Sequence, residues 1–429
     1  MSPIKPQKKP ARAASRRGSK AGARTATAPR ATAATISVAA TEVLADAQRA
    51  MHDLLTGAGL AGARAADVAR SLKLDKTLAW KLAHFVGDDA PEAARHMPGQ
   101  SAVEIILKAA DKAGVARQRI TAARDADARL RAFMAEHAGD RRTFEAMLAG
   151  ATPDESLMLE ERRAFFRAGS ALWGVRAQSQ FLLLALRPSP DTPGKLDILQ
   201  LSGFIALERL RPDVPWIIRR LRASDDSGKQ MYQIARTPLD PEGVTTGGMP
   251  LVPDFCSSPL PEIRQTEASN GWIYDELVPG ALGKSGAATI INGEVMPAIV
   301  PSEHADDNTF ARYMLTVRTP IEHVQVDLLI HEDLPHLDPP NCSMVGLLED
   351  RVTPQAHEGM HLQEPGAATD LGTPAAVRSR RVPDYEHMAT SALERAGWPT
   401  PDAFRGYRFA SDYPPAPCEI NLRCPINPR

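Results

Sequence analysis

A chain of 429 residues, 43% of them hydrophobic and 24% charged, has the material for two or three domains, each with its own core. Its longest uninterrupted apolar run, Phe181 to Leu186, is far too short to span a membrane. No apolar stretch follows the basic start, so no secretory signal is expected, and the four cysteines (Cys256, Cys342, Cys418, Cys424) form no CxxC pair. These features exclude a disulfide framework and predict a cytoplasmic protein.

The net charge of −1 conceals a strong asymmetry. Residues 1–35 carry nine Lys or Arg and no acid, whereas the remainder carries 42 basic and 52 acidic residues. Residues 301–370 alone hold thirteen acids against three arginines. The first 35 residues contain almost no large apolar side chains, so they cannot offset their own ordering entropy; they are expected to be a disordered basic arm. Such an arm neutralises phosphates and releases counterions, which points to a polyanionic partner. Its Lys5, Lys8, Lys9, Arg12, Arg16, Arg17, Lys20 and Arg24 are the candidate phosphate contacts. A solubilising tail and an organellar transit peptide are the competing readings.

From residue 36 the pattern is helical. Val43, Leu44, Ala47, Met51, Leu54 and Leu55 recur at helical spacing between Ile36 and Leu55, with Gly57 as a stop. Segments Ala65–Leu72 and Lys76–Val86 follow, and Ser101 to Glu104 reads as a capping box opening a helix that ends near Gly114. Ala126–Ala138, Arg141–Leu148 and Asp154–Ala168 complete the helical candidates. Residues 36–187 contain three prolines and residues 188–429 contain twenty-nine. A helical region thus gives way to short strands and loops, with the boundary expected between 150 and 190. In the second region Asn292-Gly293 predicts a type I′ hairpin turn between two strands. Val324–Ile330 and Cys418–Cys424 read as strands, and Asp384–Ala396 as a late helix. The expected fold class is α+β, divided into a basic arm (1–35), an all-helical head (36–125), a helical connector (126–187) and a β-rich body (188–429).

The stretch Asp67 to Phe85, DVARSLKLDKTLAWKLAHF, carries the functional expectation. Two helices crossing steeply need a small residue at their contact, an apolar residue in the turn and a capped start to the second helix. Ala69, Leu74 and Asp75 fit these roles, and Val68, Leu72, Ala79 and Leu82 fall on the inward side. The stretch resembles the helix-turn-helix of lac-repressor-type proteins: DVA, three variable residues, Gly, an aliphatic turn residue and a capping Ser. Here Lys73 stands in place of the Gly and Asp75 in place of the Ser. A left-handed conformation at Lys73 would cost roughly 1 kcal/mol relative to glycine. Helical spacing puts Lys76, Thr77, Trp80, Lys81 and His84 on the outward side; the resemblance implies that Lys76, Thr77 and Lys81 face bases and that Trp80 lies near the sugar–phosphate backbone. It further implies a dimeric, nucleoid-associated transcriptional regulator of double-stranded DNA. The β-rich body is then expected to be a sensor, dimerisation or partner-binding domain for a small-molecule or protein effector, and neither a membrane partner nor a cofactor is expected. An ordinary helical hairpin would have the same spacing.

Other motifs compete for chemistry. His357-Glu358-Gly359-Met360-His361 matches HExxH, in which two histidines one helical turn apart bind zinc, with Glu386 as a downstream third ligand. Pro354, Pro365 and the internal Gly359 oppose a helix there. A zinc-dependent hydrolase is therefore the alternative function, and a chromatin-associated or scaffold protein binding nucleic acid without sequence choice is a further one. His304 with Asp306 and Asp307, and His331 with Glu332 and Asp333, offer metal-type side chains without a coordination spacing. Gly283-Lys284-Ser285 ends like a phosphate loop but lacks its first glycine and its following helix.

Overall fold

A computed structural model describes residues 33–151, 155–222, 235–245, 248–268, 272–301, 310–347 and 361–426. It divides into two compact units, residues 1–154 and 155–429. The expected basic arm, up to residue 32, lies outside the described residues.

The first unit is helical: α1 (Ala33–Gly57), α2 (Ala65–Leu72), α3 (Lys76–Gly87), α4 (Ala90–His96), α5 (Gln100–Lys112), α6 (Arg117–Phe133) and α7 (Arg141–Ala151), with a π-helical turn at Met134–Ala138 between the last two. The periodic residues of α1 form its buried stripe: Leu44, Ala47, Met51, Leu54 and Leu55 sit in one core with Val68, Leu82, Phe85, Ile106, Leu130 and Phe144. Helix α5 starts two residues earlier than the capping-box pattern predicts. Gly99 is its N-cap and no side chain caps it, so Ser101 lies inside the helix, exposed. Helix α4 had no expectation attached. Its Pro91 sits at the first turn, where a missing N–H costs nothing.

The expected connector, 126–187, is not a separate region. Helix α6 crosses residue 125 because Ile120, Ala123, Ala126 and Leu130 form one buried stripe, and Phe144 and Leu148 of α7 enter the same core. The division between units falls at residue 154, inside the window given by the proline shift. The second unit opens with helix α8 (Glu155–Trp173) and passes directly into strand β1 (Val175–Pro188). Residues Phe181 to Leu186 are buried on both sides of that strand, which is why they show neither helical nor alternating periodicity.

The remaining strands are β2 (Lys195–Arg209), β3 (Trp216–Arg222), β4 (Thr237–Pro238), β5 (Ile263–Glu267), β6 (Trp272–Leu277), β7 (Ala288–Pro301), β8 (Phe310–Val317), β9 (Ile321–His331), β10 (Asn341–Gly346), β11 (His361–Ala367), β12 (Thr369–Gly372), β13 (Phe404–Asp412) and β14 (Cys418–Pro425). The late helix is α9 (Tyr385–Arg395). A seven-stranded sheet runs β12-β13-β9-β1-β2-β7-β4, a four-stranded sheet β11-β10-β14-β8 and a three-stranded sheet β3-β6-β5. Within the large sheet β1 and β9 pair in parallel, and the other neighbours are antiparallel. One face, with Leu182, Leu184, Val326 and Leu328, packs against Met344, Ile420 and Leu422 of the four-stranded sheet. The other face, with Phe181, Leu183 and Leu329, packs against Tyr385, Met388, Ala392 and Leu393 of α9. The unit is thus layered sheet on sheet on helix. With its helical first unit and β-rich second unit, the chain is α+β, as the sequence predicts.

The Asn292-Gly293 hairpin is a correction. Strand β7 runs straight through both residues, which pair with Ser202 and Leu201 of β2. The Asn292 side chain donates to the Ser202 carbonyl at 2.9 Å. A Cβ on Gly293 would come within 2.5 Å of Leu239, so this glycine permits close packing rather than a turn. Among the described residues, no helix is long and apolar enough to cross a membrane.

Candidate nucleic-acid interface

Helices α2 and α3 meet through three residues, Lys73, Leu74 and Asp75. Lys73 is left-handed, at φ 52° and ψ 41°, in the place where the resembling pattern has glycine. This conformation ends α2 by aiming the amides of Lys73 and Leu74 at the Ala69 carbonyl, the latter at 3.0 Å. Leu74 drops into the core. The Asp75 carboxylate accepts from the amides of Thr77 at 2.8 Å and Leu78 at 3.3 Å, satisfying donors that the first turn of α3 leaves free. Those backbone bonds hold the Asp75 carboxyl below its ordinary value, so the cap is ionised at neutral pH.

The two faces of α3 are as the periodicity predicts. Ala79, Leu82 and Phe85 are buried, with Val68 and Leu72 of α2 against them, while Lys76, Thr77 and Lys81 are exposed and Trp80 keeps 43% of its surface open. Charge is graded along the hairpin. From Arg64 to Lys81 five basic residues accompany two acids, whereas from Asp88 to His96 three acids accompany one arginine. The start of α3 is therefore the end suited to phosphate and the far end is not.

His84 is the predicted contact that the structure redirects. Its Nδ1 lies 3.0 Å from Asp88 Oδ2, and its ring sits 4.3 Å from Trp80 and 5.2 Å from His96, centroid to centroid. Trp80 and His84 thus belong to a cluster with α4 rather than to a free helix face. Sequence reasoning missed Asp88 and His96; the signal was a His-x3-Asp spacing at a helix end with a second histidine eight residues on. Lys8, Lys9, Arg12, Arg16 and Arg17, with the other arm residues, lie outside the described residues.

Of the HExxH motif only His361 lies among the described residues. His357 and Glu358 lie outside the described residues, and His361 is the exposed first residue of strand β11, not of a helix turn. Glu386 lies on α9 and pairs with Arg378 at 3.1 Å. Of the other sets, His304, Asp306 and Asp307 are outside the described residues, and His331 turns to Asp333 at 3.4 Å. Gly283–Gly286 is a short 3₁₀ turn leading into strand β7, as the failed phosphate-loop pattern predicts.

The second unit holds a polar network that the sequence did not announce. On the α9 side of the large sheet, Arg408 grips Asp327 with two bonds, 2.8 Å and 2.6 Å, and its guanidinium also donates to the Arg378 carbonyl at 2.6 Å. Burial pushes the Asp327 carboxyl above its ordinary value, opposed by the two bonds from Arg408. Ser379 donates to Gln325 at 2.7 Å and accepts from the amides of Arg381 and Val382. His323 Nδ1 lies 2.8 Å from Asp412, which also takes a bond from Arg381 at 3.0 Å. Strand register places Ser179, His323 and Asp412 in one row, the residue types of a nucleophilic triad. The Ser179 hydroxyl, however, is fully buried and donates to the Arg381 carbonyl at 2.8 Å. The row ties the segment before α9 to the sheet; it offers no accessible nucleophile.

No family model matches the chain, and no curated protein matches it significantly. Among solved structures, it is similar to a protein from Parabacteroides distasonis described provisionally as a protease, at 10% identity and a TM-score of 0.25. That match takes in 59% of this chain and 40% of the other, and likeness at this level assigns neither fold nor activity.

Proposed function

We propose that the chain is a sequence-specific DNA-binding protein, a transcriptional regulator whose α2–α3 hairpin acts as a helix-turn-helix. The observation that carries this reading is the joint itself. A left-handed Lys73, a buried Leu74 and a capping Asp75 hold α3 with Lys76, Thr77 and Lys81 on one solvent-exposed face. At 12 residues, α3 is about 18 Å long and of a size for the major groove. In this reading Lys76, Thr77 and Lys81 contact base edges, and the basic residues before position 36 hold phosphates. The β-rich unit is the sensor, dimerisation or partner-binding part.

Binding titrations against fragments selected from genomic DNA, with random duplex as reference, test it. Replacing Lys81 by Ala should weaken selected sites about ten-fold and random duplex distinctly less. Deleting residues 1–35 should weaken both and flatten the salt dependence. Equal loss on selected and random DNA in Lys81→Ala would remove base readout by α3. Failure of the intact chain to enrich any fragment would remove the reading altogether.

A further inference from the structure

The cluster at the far end of α3 has a chemistry of its own. We propose that His84, Asp88 and His96 form a binding site for one divalent transition-metal ion of the zinc class, with water as the fourth ligand. The site stands whether or not α3 binds DNA.

The ligands come from α3 (His84), from the two-residue joint Asp88–Asp89 that follows it (Asp88) and from α4 (His96). His84 and Asp88 are one helical turn apart and therefore share a face. His96 is the last residue of α4 and points back at the same carboxylate. His84 Nδ1 lies 3.0 Å from Asp88 Oδ2, His96 Nε2 lies 3.9 Å from it, and all three ligand atoms are within 4.8 Å of one another. Ligands about 2.0–2.1 Å from a tetrahedral ion are about 3.4 Å apart, so small side-chain rotations close the set. A simple i,i+4 ion pair would account for His84 and Asp88 but gives no reason for a second imidazole on the same oxygen.

The surroundings hold this arrangement in place. Gln48 of α1 donates to the carbonyls of Phe85 and Asp88, both at 2.9 Å, and so pins the end of α3. Buried Ala93, Ala94 and Met97 anchor α4 in the core. Trp80 covers both imidazoles, 4.3 Å from the His84 ring and 4.8 Å from the His96 ring. Two imidazoles and one carboxylate are a donor set for zinc and its neighbours; calcium and magnesium call for more oxygens, and no thiolate is present to favour a softer ion. The side chains of His84, Asp88 and His96 stay 40%, 29% and 21% exposed, which leaves an open coordination position to water.

The test is calorimetric titration of the chelator-treated full chain with Zn2+, alongside Co2+ titration followed by visible absorption and tryptophan fluorescence. One Zn2+ per chain is expected, with affinity falling at least ten-fold in both Asp88→Asn and His96→Gln while helical circular dichroism is unchanged. Co2+ should quench fluorescence in the intact chain, and that quench should largely vanish in Trp80→Phe, since the ion would sit beside this ring. Three results would overturn the proposal: no Zn2+ bound, Zn2+ bound equally well by both ligand variants, or Zn2+ lost in His361→Ala and kept in His96→Gln.

Discussion

The two units differ in how much charge they bury. In the helical unit, ion pairs such as Arg70–Asp67 and Arg124–Glu104 are exposed, and among the described residues the core beneath is apolar apart from Asp127, which pairs with Arg131. In the β-rich unit, Asp327, Asp275, Asp197 and Glu294 are all at least 95% buried, each paired with an arginine. Exposed pairs contribute little to stability, so the first unit's surface charge does little to hold its fold. Buried pairs are committed to their own fold, because separating them strands a charge in a poorly solvated site. The helical unit thus keeps most of its charge at the surface, while the β-rich unit uses buried charge to fasten its own fold.

The largest expected effect breaks that fastening. Arg408→Met leaves the Asp327 carboxylate buried without its cation and should cost the second unit about 3–5 kcal/mol in urea unfolding. Amide exchange in α1 to α7 should not change. Combining it with Asp327→Leu should restore most of the loss; a loss shared equally by both units would show that the polar network is not local to the sheet.

A smaller effect concerns pH. Burial lowers the His323 pKa below 6.5, against the pull of Asp412. The unfolded chain then binds this proton more readily than the folded one, so the group's effect is a loss of stability as pH falls from about 7 through 6.5 toward the folded-state value. His323→Gln should flatten the stability curve of the second unit over that range. An unchanged slope would place the responsible group elsewhere.

The smallest effect sharpens the account of the first unit. Lys73→Gly relieves a left-handed lysine but loosens the unfolded chain, so the helical unit should gain about 1 kcal/mol or less in thermal or urea unfolding. A clear loss of stability would mean that the lysine side chain, not its backbone, matters at the turn.

How much could be read in advance followed from the range of the interactions concerned. Helices α1 to α3, α5, α7 and α8, the second half of α6 and the two faces of α3 were legible because apolar spacing, a cap and a turn are encoded within a few residues. Strand β7 was misread because the same Asn-Gly pair that favours a turn also suits a strand whose neighbours, Ser202 and Leu239, press against it. The Asp327–Arg408 pair joins residues 81 apart, and the His323–Asp412 pair residues 89 apart, so nothing local could announce either.

By itself, then, the sequence determined where the chain turns helical, where that regime ends and which side of α3 faces outward, because local propensity and periodicity act over one or two turns. The tertiary structure decided where the units divide, what Gly293 is for, which strands carry the buried charges and that His84 meets His96 across a helix corner. Those outcomes depend on which distant segments pack together, and packing is selected by the whole core at once rather than by any window of the chain.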